Sequence, residues 1–126
     1  MSKKYTLLTV GMLGALAVAM GAFGAHALKS ILIENGRLET YELAVRYHFF
    51  HIPPLLVLGL IPSHQNTLLK LSAWGFLGGI LIFSGSLYAL ALSGQTFLGM
   101  ITPLGGIFLM VGWVAFGWGA HQTIKQ

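Results

Sequence analysis

Charged residues are too few in this chain to cover the surface of a water-soluble protein. Of its 126 residues, 8% are charged and 56% are hydrophobic, whereas a soluble domain carries about 25% charged residues. Lipid tails can solvate an apolar exterior, provided that the backbone polar groups are bonded within the chain. We therefore expect an integral membrane protein, and at this length a single domain.

Four apolar segments are each long enough to cross a bilayer, which takes about 20 helical residues. The connections at residues 62–66 and 93–96 are short, so neighbouring helices should be antiparallel. The sequence thus predicts an all-α fold, an integral membrane four-helix bundle. The expected spans cover residues 5–25, 43–61, 69–92 and 97–119.

The first span also has features of a secretory signal, because Lys3 and Lys4 precede an apolar run that ends in "AHA". The apolar core of a signal peptide measures about 7–15 residues. This run is longer, which favours a helix that stays in the membrane.

Basic residues near the span ends predict the orientation, since they concentrate on the cytoplasmic side. One side has Lys3, Lys4, Lys70 and Lys125, and the other has Lys29, Arg37 and Arg46. Arg46 lies within the second span, where Glu42 one turn earlier is its expected ion-pair partner. The bias predicts cytoplasmic termini in a bacterial inner membrane. The basic residues are scattered, which argues against a nucleic-acid partner.

The stretch "RYHFFHIPP", from Arg46 to Pro54, places a polar stripe on the second span. At about 100° per residue, Tyr47, His48 and His51 share one helix face. His51 lies about 12 Å beyond the predicted start of the span, near the bilayer midplane. Ionisable groups at that depth are costly and mark functional sites by default. The competing interpretation is helix packing, with Tyr47 and Arg46 as ordinary interface residues.

Pro53 and Pro54 predict a break beside His51, because neither can donate to the carbonyl four residues earlier. The carbonyls of Phe49 and Phe50 should then be satisfied by other groups, such as hydroxyls of the third span. We also expect His51 to bond a hydroxyl or a freed carbonyl on a facing helix. In the fourth span, Thr102 is expected to cap a helix that begins at Pro103.

These residues define a candidate polar cluster that packs helices or binds a ligand. Its members are His26, Glu42, Arg46, Tyr47, His48, His51, Ser84, Ser86, Tyr88 and Thr102. A metal held by His48, His51 and His26 is an alternative, but no carboxylate lies at matching depth and "HFFH" lacks the glutamate of a zinc-protease helix. The chain has no cysteine. We expect no metal, haem or other cofactor and no catalytic residue.

Seventeen glycines let the helix backbones approach closely, which is how membrane helices gain packing contacts. Gly75 and Gly79 form a GxxxG step on the third span. Packing within one copy is the expected use of these glycines. A homo-oligomer or a larger membrane complex is the alternative.

The order and spacing of "GAFGAH", "YHFFH", "FSGSLYALAL" and "TPLGG" resemble the small four-span membrane proteins grouped as domain of unknown function 423. The resemblance covers essentially the whole chain. It implies a four-span inner-membrane protein without assigned activity. In that family the second-helix motif looks like Tyr-Gln-x-x-His, which corresponds to Tyr47 and His51. This chain has His48 in place of the glutamine, a departure that weakens a metal site built on paired histidines.

Two classes of function follow, and a third, a membrane-embedded enzyme, has little support because no nucleophile and base are placed with an orienting carboxylate at depth. The first is a non-enzymatic protein whose polar cluster packs helices or binds a small ligand or a lipid from the non-cytoplasmic side. The second is an oligomeric transporter or proton-linked channel that uses His51. A cavity that reaches His51 and ends there favours the first class, and a path that crosses the bundle favours the second.

Overall fold

A computed structural model describes residues 3–61 and 66–125. These residues form helices joined by short turns, with no strand among them. In chain order the α-helices are α1 (Lys3–Ala25), α2 (Lys29–Glu34), α3 (Leu38–Phe50), α4 (Ile52–Leu60), α5 (Thr67–Gly79), α6 (Gly85–Ser93) and α7 (Thr102–Ile124). A π-helical segment, Ile80–Ser84, joins α5 to α6, and a 3-10 segment, Thr96–Met100, precedes α7.

Four helical stretches are long and apolar enough to cross a bilayer, which confirms the predicted architecture. They are α1, α3 with α4, α5 with α6, and the 3-10 segment with α7. We name the two ends of the bundle the Leu38 end and the Leu60 end, after the limits of the second span. Most of the predicted turn at residues 62–66, including His64, lies outside the described residues.

Two spans are interrupted near mid-length. The second span breaks at His51, as Pro53 and Pro54 in the first turn of α4 predict, because proline cannot continue the hydrogen bonding of α3. The third span contains the π-helical segment, where the N–H of Gly85 bonds the carbonyl of Ile80. Such wide turns are frequent at functional sites.

The helices pack in chain order, so the third span is central. It contacts the second span on one side and the fourth on the other. Of its apolar stretch 56% is buried, against 17% in the first and fourth spans. A side-chain core formed by Val10, Leu55, Leu69, Phe76, Leu109 and neighbouring residues joins all four spans.

The third and fourth spans meet through glycines, and we name this contact the glycine seam, formed by Gly75, Gly79, Gly105 and Gly112. A Cβ atom at Gly75 would lie 2.9 Å from the Gly112 Cα. A Cβ atom at Gly105 would lie 2.7 Å from the Phe83 Cα in the π-helical segment. The GxxxG step therefore packs within one copy of the chain.

Asn66 fixes the Leu60 end of the same pair of helices. Its Oδ1 atom accepts from the backbone N–H of Leu68 at 2.9 Å and so caps α5. Its Nδ2 atom donates to the carbonyl of Gly119 in α7 at 3.0 Å. One side chain thus starts the third span and ties it to the fourth.

Candidate functional site

His51 occupies the break in the second span and bonds on both sides of its ring. Its backbone N–H reaches back to the His48 carbonyl at 3.3 Å, a tighter turn than the helix before it. This leaves the Tyr47 carbonyl without its usual main-chain donor, and the His51 ring takes that place, with Nδ1 at 2.6 Å from the carbonyl oxygen. On its other edge, Nε2 accepts from the indole N–H of Trp113 in α7 at 3.1 Å.

These two partners define the protonation state of the ring. A carbonyl can only accept, so Nδ1 must hold the proton, and an indole N–H can only donate, so Nε2 must present its lone pair. His51 is therefore the neutral Nδ1–H tautomer. Its side chain is 3% exposed. The bonds differ from the expected hydroxyl or facing carbonyl, because the ring caps its own helix and reaches an indole instead.

Aromatic rings close the space on the Leu60 side of His51. The ring centroid of Phe76 lies 5.5 Å from His51 and 5.2 Å from Trp113. Phe116 follows at 6.3 Å from Phe76. Phe76 is fully buried. This aromatic layer separates His51 from the Leu60 end.

A cavity of about 590 Å³ lies beside His51, between the second and fourth spans and against the third. Three of its lining residues, Phe50, Met110 and Trp113, are exposed on the outside of the bundle, so it opens sideways. The complete lining is Tyr47, Phe50, His51, Phe83, Gly106, Leu109, Met110 and Trp113. We name it the His51 cavity.

Tyr47 is half-buried and forms part of the wall of the His51 cavity. Its ring stacks against Phe83 at a centroid distance of 4.6 Å. Among the described residues no group bonds its hydroxyl. The cavity is thus largely aromatic and has one phenol on its wall whose hydroxyl is free to bond.

His48 belongs to a second group of polar residues, nearer the Leu38 end. Its Nδ1 atom lies 3.2 Å from the Tyr88 hydroxyl, and the Tyr88 ring packs edge-on against Tyr41 at 5.2 Å. Tyr41 in turn donates to the Met20 carbonyl of α1 at 2.6 Å. The buried His48 Nε2 atom makes no hydrogen bond of standard geometry within the described residues. This group links the first three spans.

The hydroxyls of the third span bond other groups than the carbonyls freed by the prolines. Ser84 donates to the Ala44 carbonyl at 2.8 Å, and Ser86 lies 2.6 Å from the Thr102 hydroxyl. Instead, the backbone turn tightens at His51, and the backbone N–H of His51 bonds the Phe49 carbonyl.

The predicted capping role of Thr102 is wrong. The cap position of α7 is Ile101, which makes no side-chain bond, and Thr102 is already helical. Its hydroxyl points back to Ser86 and to the Leu98 carbonyl. The 3-10 segment runs directly into α7, so backbone groups of the preceding turn take the place of a side-chain cap.

The remaining members of the predicted cluster lie apart from His51. His26 is exposed in the turn after α1. Glu42 and Arg46 are exposed on α3, and the ion pair expected between them is absent from the described residues. Long exposed side chains gain little from such pairing against the loss of rotamer freedom. Within the described chain, no three His, Asp or Glu side chains gather as metal ligands.

Trp113 is the functional-site residue that sequence reasoning missed. A tryptophan of a membrane helix usually lies at the lipid headgroups, whereas Trp113 lies near the middle of α7. Its indole N–H must find an acceptor there. A mid-span tryptophan together with a mid-span histidine was the signal available in the sequence.

Comparison with known proteins gives a consistent family. Residues 20–106 match the family model described as "Protein of unknown function (DUF423)". A UPF0382 membrane protein of Haemophilus influenzae is 38% identical, covering 98% of this chain and 98% of the relative. The UPF0382 inner membrane protein YgdD of Escherichia coli is 36% identical over 100% of this chain and 96% of its own length. No solved structure matches significantly.

Proposed function

Since this chain belongs to the DUF423 family of membrane proteins, we propose that it is a non-enzymatic membrane protein that binds a lipid-soluble molecule in the His51 cavity. The observation that supports this most is the sideways opening of the cavity at mid-span, where Phe50, Met110 and Trp113 face the surrounding lipid. A molecule dissolved in the bilayer can enter there without crossing water.

The chemistry of the cavity wall supports an apolar ligand with at least one polar atom. The wall consists mainly of rings and apolar side chains, typical of sites that bury most of a small ligand. The Tyr47 hydroxyl can donate to an oxygen of the ligand. His51 has a structural role in the site, because other groups of the protein already bond both of its ring nitrogens.

The same bonds argue against transport or proton conduction through His51. A proton relay needs a ring nitrogen that can exchange its proton with a neighbour, yet Nδ1–H is held by the Tyr47 carbonyl and Nε2 by Trp113. The aromatic layer of Phe76, Trp113 and Phe116 lies across the route to the Leu60 end. No described residue beyond Trp113 toward the Leu60 end lines the cavity, which supports binding over transport.

Two substitutions at Gly106 test the binding proposal. Gly106→Ala adds a methyl group whose nearest neighbour lies 3.8 Å away, so the fold and the cavity should persist. Gly106→Leu extends a side chain into the cavity. Molecules that co-purify with the protein are extracted and quantified by mass spectrometry. We expect one species to be retained by the parent and the alanine variant and lost from the leucine variant. Equal retention in all three would refute the proposal.

The orientation belongs to the same proposal: the chain lies in the inner membrane with both termini cytoplasmic. The residues Ser2 and Gln126 lie outside the described part, so labels are better placed at Glu34 and Lys125, both exposed. The chain has no native cysteine. In intact cells an impermeant thiol reagent should label Glu34→Cys and spare Lys125→Cys. The opposite pattern would reverse the orientation.

A further inference from the structure

Glu42 and Arg46 are two charged residues that the His51 cavity does not involve, and they flank a separate cavity of about 280 Å³. Its walls come from the last turns of α1, at Gly21 and Gly24, and from the first turns of α3. Both charged side chains are exposed, and no described residue pairs with either.

The frame of this cavity is fixed by close contact between α1 and α3. A Cβ atom at Gly24 would lie 2.8 Å from the Tyr41 Cδ1 atom, so the helices can touch only because residue 24 is glycine. The Tyr41 hydroxyl donates to the Met20 carbonyl at 2.6 Å. The two charges therefore stand on a defined surface of the bundle.

Both charges lie in the half of the second span that is nearer the Leu38 end, and Arg46 is the deeper of the two. At about 1.5 Å per residue, Glu42 is about 6 Å and Arg46 about 12 Å along the helix from Leu38. The guanidinium of an arginine bonds anionic groups through several N–H donors, and its long side chain can extend toward the membrane surface to reach one. No residue in the described part of the chain supplies an anionic partner for Arg46, which leaves a lipid as the source of that partner.

We propose that Glu42 and Arg46 bind the headgroup of a zwitterionic phospholipid of the ethanolamine class. In such a lipid the phosphate lies next to the acyl chains and the ammonium lies outermost. The protein presents its charges in the matching order, with Arg46 deeper for the phosphate and Glu42 shallower for the ammonium. The C-terminal end of α1 at Ala25 adds a partial negative charge beside the ammonium.

The hydrogen-bonding groups of the site distinguish this headgroup from others. A guanidinium matches two phosphate oxygens at once. A primary ammonium has three N–H donors for the Glu42 carboxylate, whereas a choline headgroup has none and a glycerol headgroup has no cation. Phe49 lies about one turn deeper on the same helix face and is exposed, so an acyl chain can run along it.

The test uses delipidated full-length protein, titrated with phosphatidylethanolamine, phosphatidylcholine or phosphatidylglycerol of identical chains and analysed by native mass spectrometry. We expect phosphatidylethanolamine to bind most tightly. Glu42→Gln should remove that preference, with a loss of about fivefold, the upper range for a partly exposed charge pair. Arg46→Gln should weaken all three lipids. Glu34→Gln, an exposed glutamate of α2, is the matched control and should change nothing.

A charge-reversed double variant, Glu42→Arg with Arg46→Glu, makes the test independent of net charge. It keeps one charge of each sign but inverts their depth, so the preference for phosphatidylethanolamine should disappear. An unchanged preference in this variant, or tighter binding of phosphatidylglycerol by the parent, would overturn the proposal. Displacement of the lipid by soluble phosphoethanolamine at equal concentration would also overturn it and assign the site to a water-soluble ligand.

Discussion

The third and fourth spans contact each other through glycines, whereas the second and third spans contact each other through side-chain hydrogen bonds. In the glycine seam, Gly75 lies against the backbone of Gly112, and Gly105 lies against the backbone of Phe83. The other two glycines, Gly79 and Gly112, make room for the side chains of Leu109 and Phe76. Between spans two and three, Ser84 bonds the Ala44 carbonyl and Tyr88 bonds His48. Backbone contact tolerates no added atom, whereas a hydrogen bond between spans can be lost at moderate cost because the separated helices find other partners.

The largest loss of stability should come from an added methyl group in the glycine seam. Gly105→Ala forces a Cβ atom to 2.7 Å from the Phe83 Cα, which is backbone and cannot turn aside. We expect a loss of about 3 kcal/mol in unfolding free energy. The adjacent Gly106→Ala is the control and should change stability by less than about 0.5 kcal/mol. Equal stability of the two variants, in one detergent, would contradict the proposed difference between the two contacts.

A smaller loss should follow from removing the His51 ring. His51→Leu leaves both the Trp113 N–H and the Tyr47 carbonyl without their side-chain partner, at a cost of about 1–2 kcal/mol. Arg46→Ala should cost less, because Arg46 is exposed and unpaired in the described chain. Thermal unfolding of both variants measures the ranking. If Arg46→Ala were the less stable variant, the deep histidine would not be the centre of the polar contacts.

The smallest loss of stability should follow from the removal of one serine hydroxyl. Ser84→Ala removes a bond to the Ala44 carbonyl on the neighbouring span, worth about 0.6 kcal/mol. Ser93→Ala is a matched control, because its exposed hydroxyl bonds only local groups, donating to the Ala89 carbonyl of its own helix and accepting from the Gln95 N–H of the next turn. In equilibrium unfolding, Ser84→Ala should have a lower unfolding free energy than Ser93→Ala. The reverse ranking would show that the bond between spans adds no stability.

The sequence predicted the four apolar helices and the break at His51, because each depends on local chemistry: apolar length in one case and the missing N–H groups of Pro53 and Pro54 in the other. The π-helical segment Ile80–Ser84 was not predicted. No residue in it prevents an α-helix, and its wide turn lies against Gly105 of another span. Tertiary contact of this kind leaves no local pattern.

The predicted cluster was built from helix faces and depth, and these criteria do not specify which helices meet. The structure divides most of it between the His51 cavity, the group around His48 and the exposed pair of Glu42 and Arg46. The other members, Ser84, Ser86, Thr102 and His26, lie outside these three groups. Trp113 was missed because its position relative to His51 depends on the packing of α7 against α5. Spacing along one helix could suggest the histidines, but not their partners.

The hydrogen bond between His51 and Trp113 joins the break in the second span to the fourth span. A double-mutant cycle with His51→Leu and Trp113→Phe measures it directly, since phenylalanine keeps a ring and removes the N–H donor. We expect a coupling free energy of about 0.6–1.7 kcal/mol, the range of hydrogen bonds between membrane helices. Additive effects, within about 0.3 kcal/mol, would show that this bond adds no stability and does not join the two spans energetically.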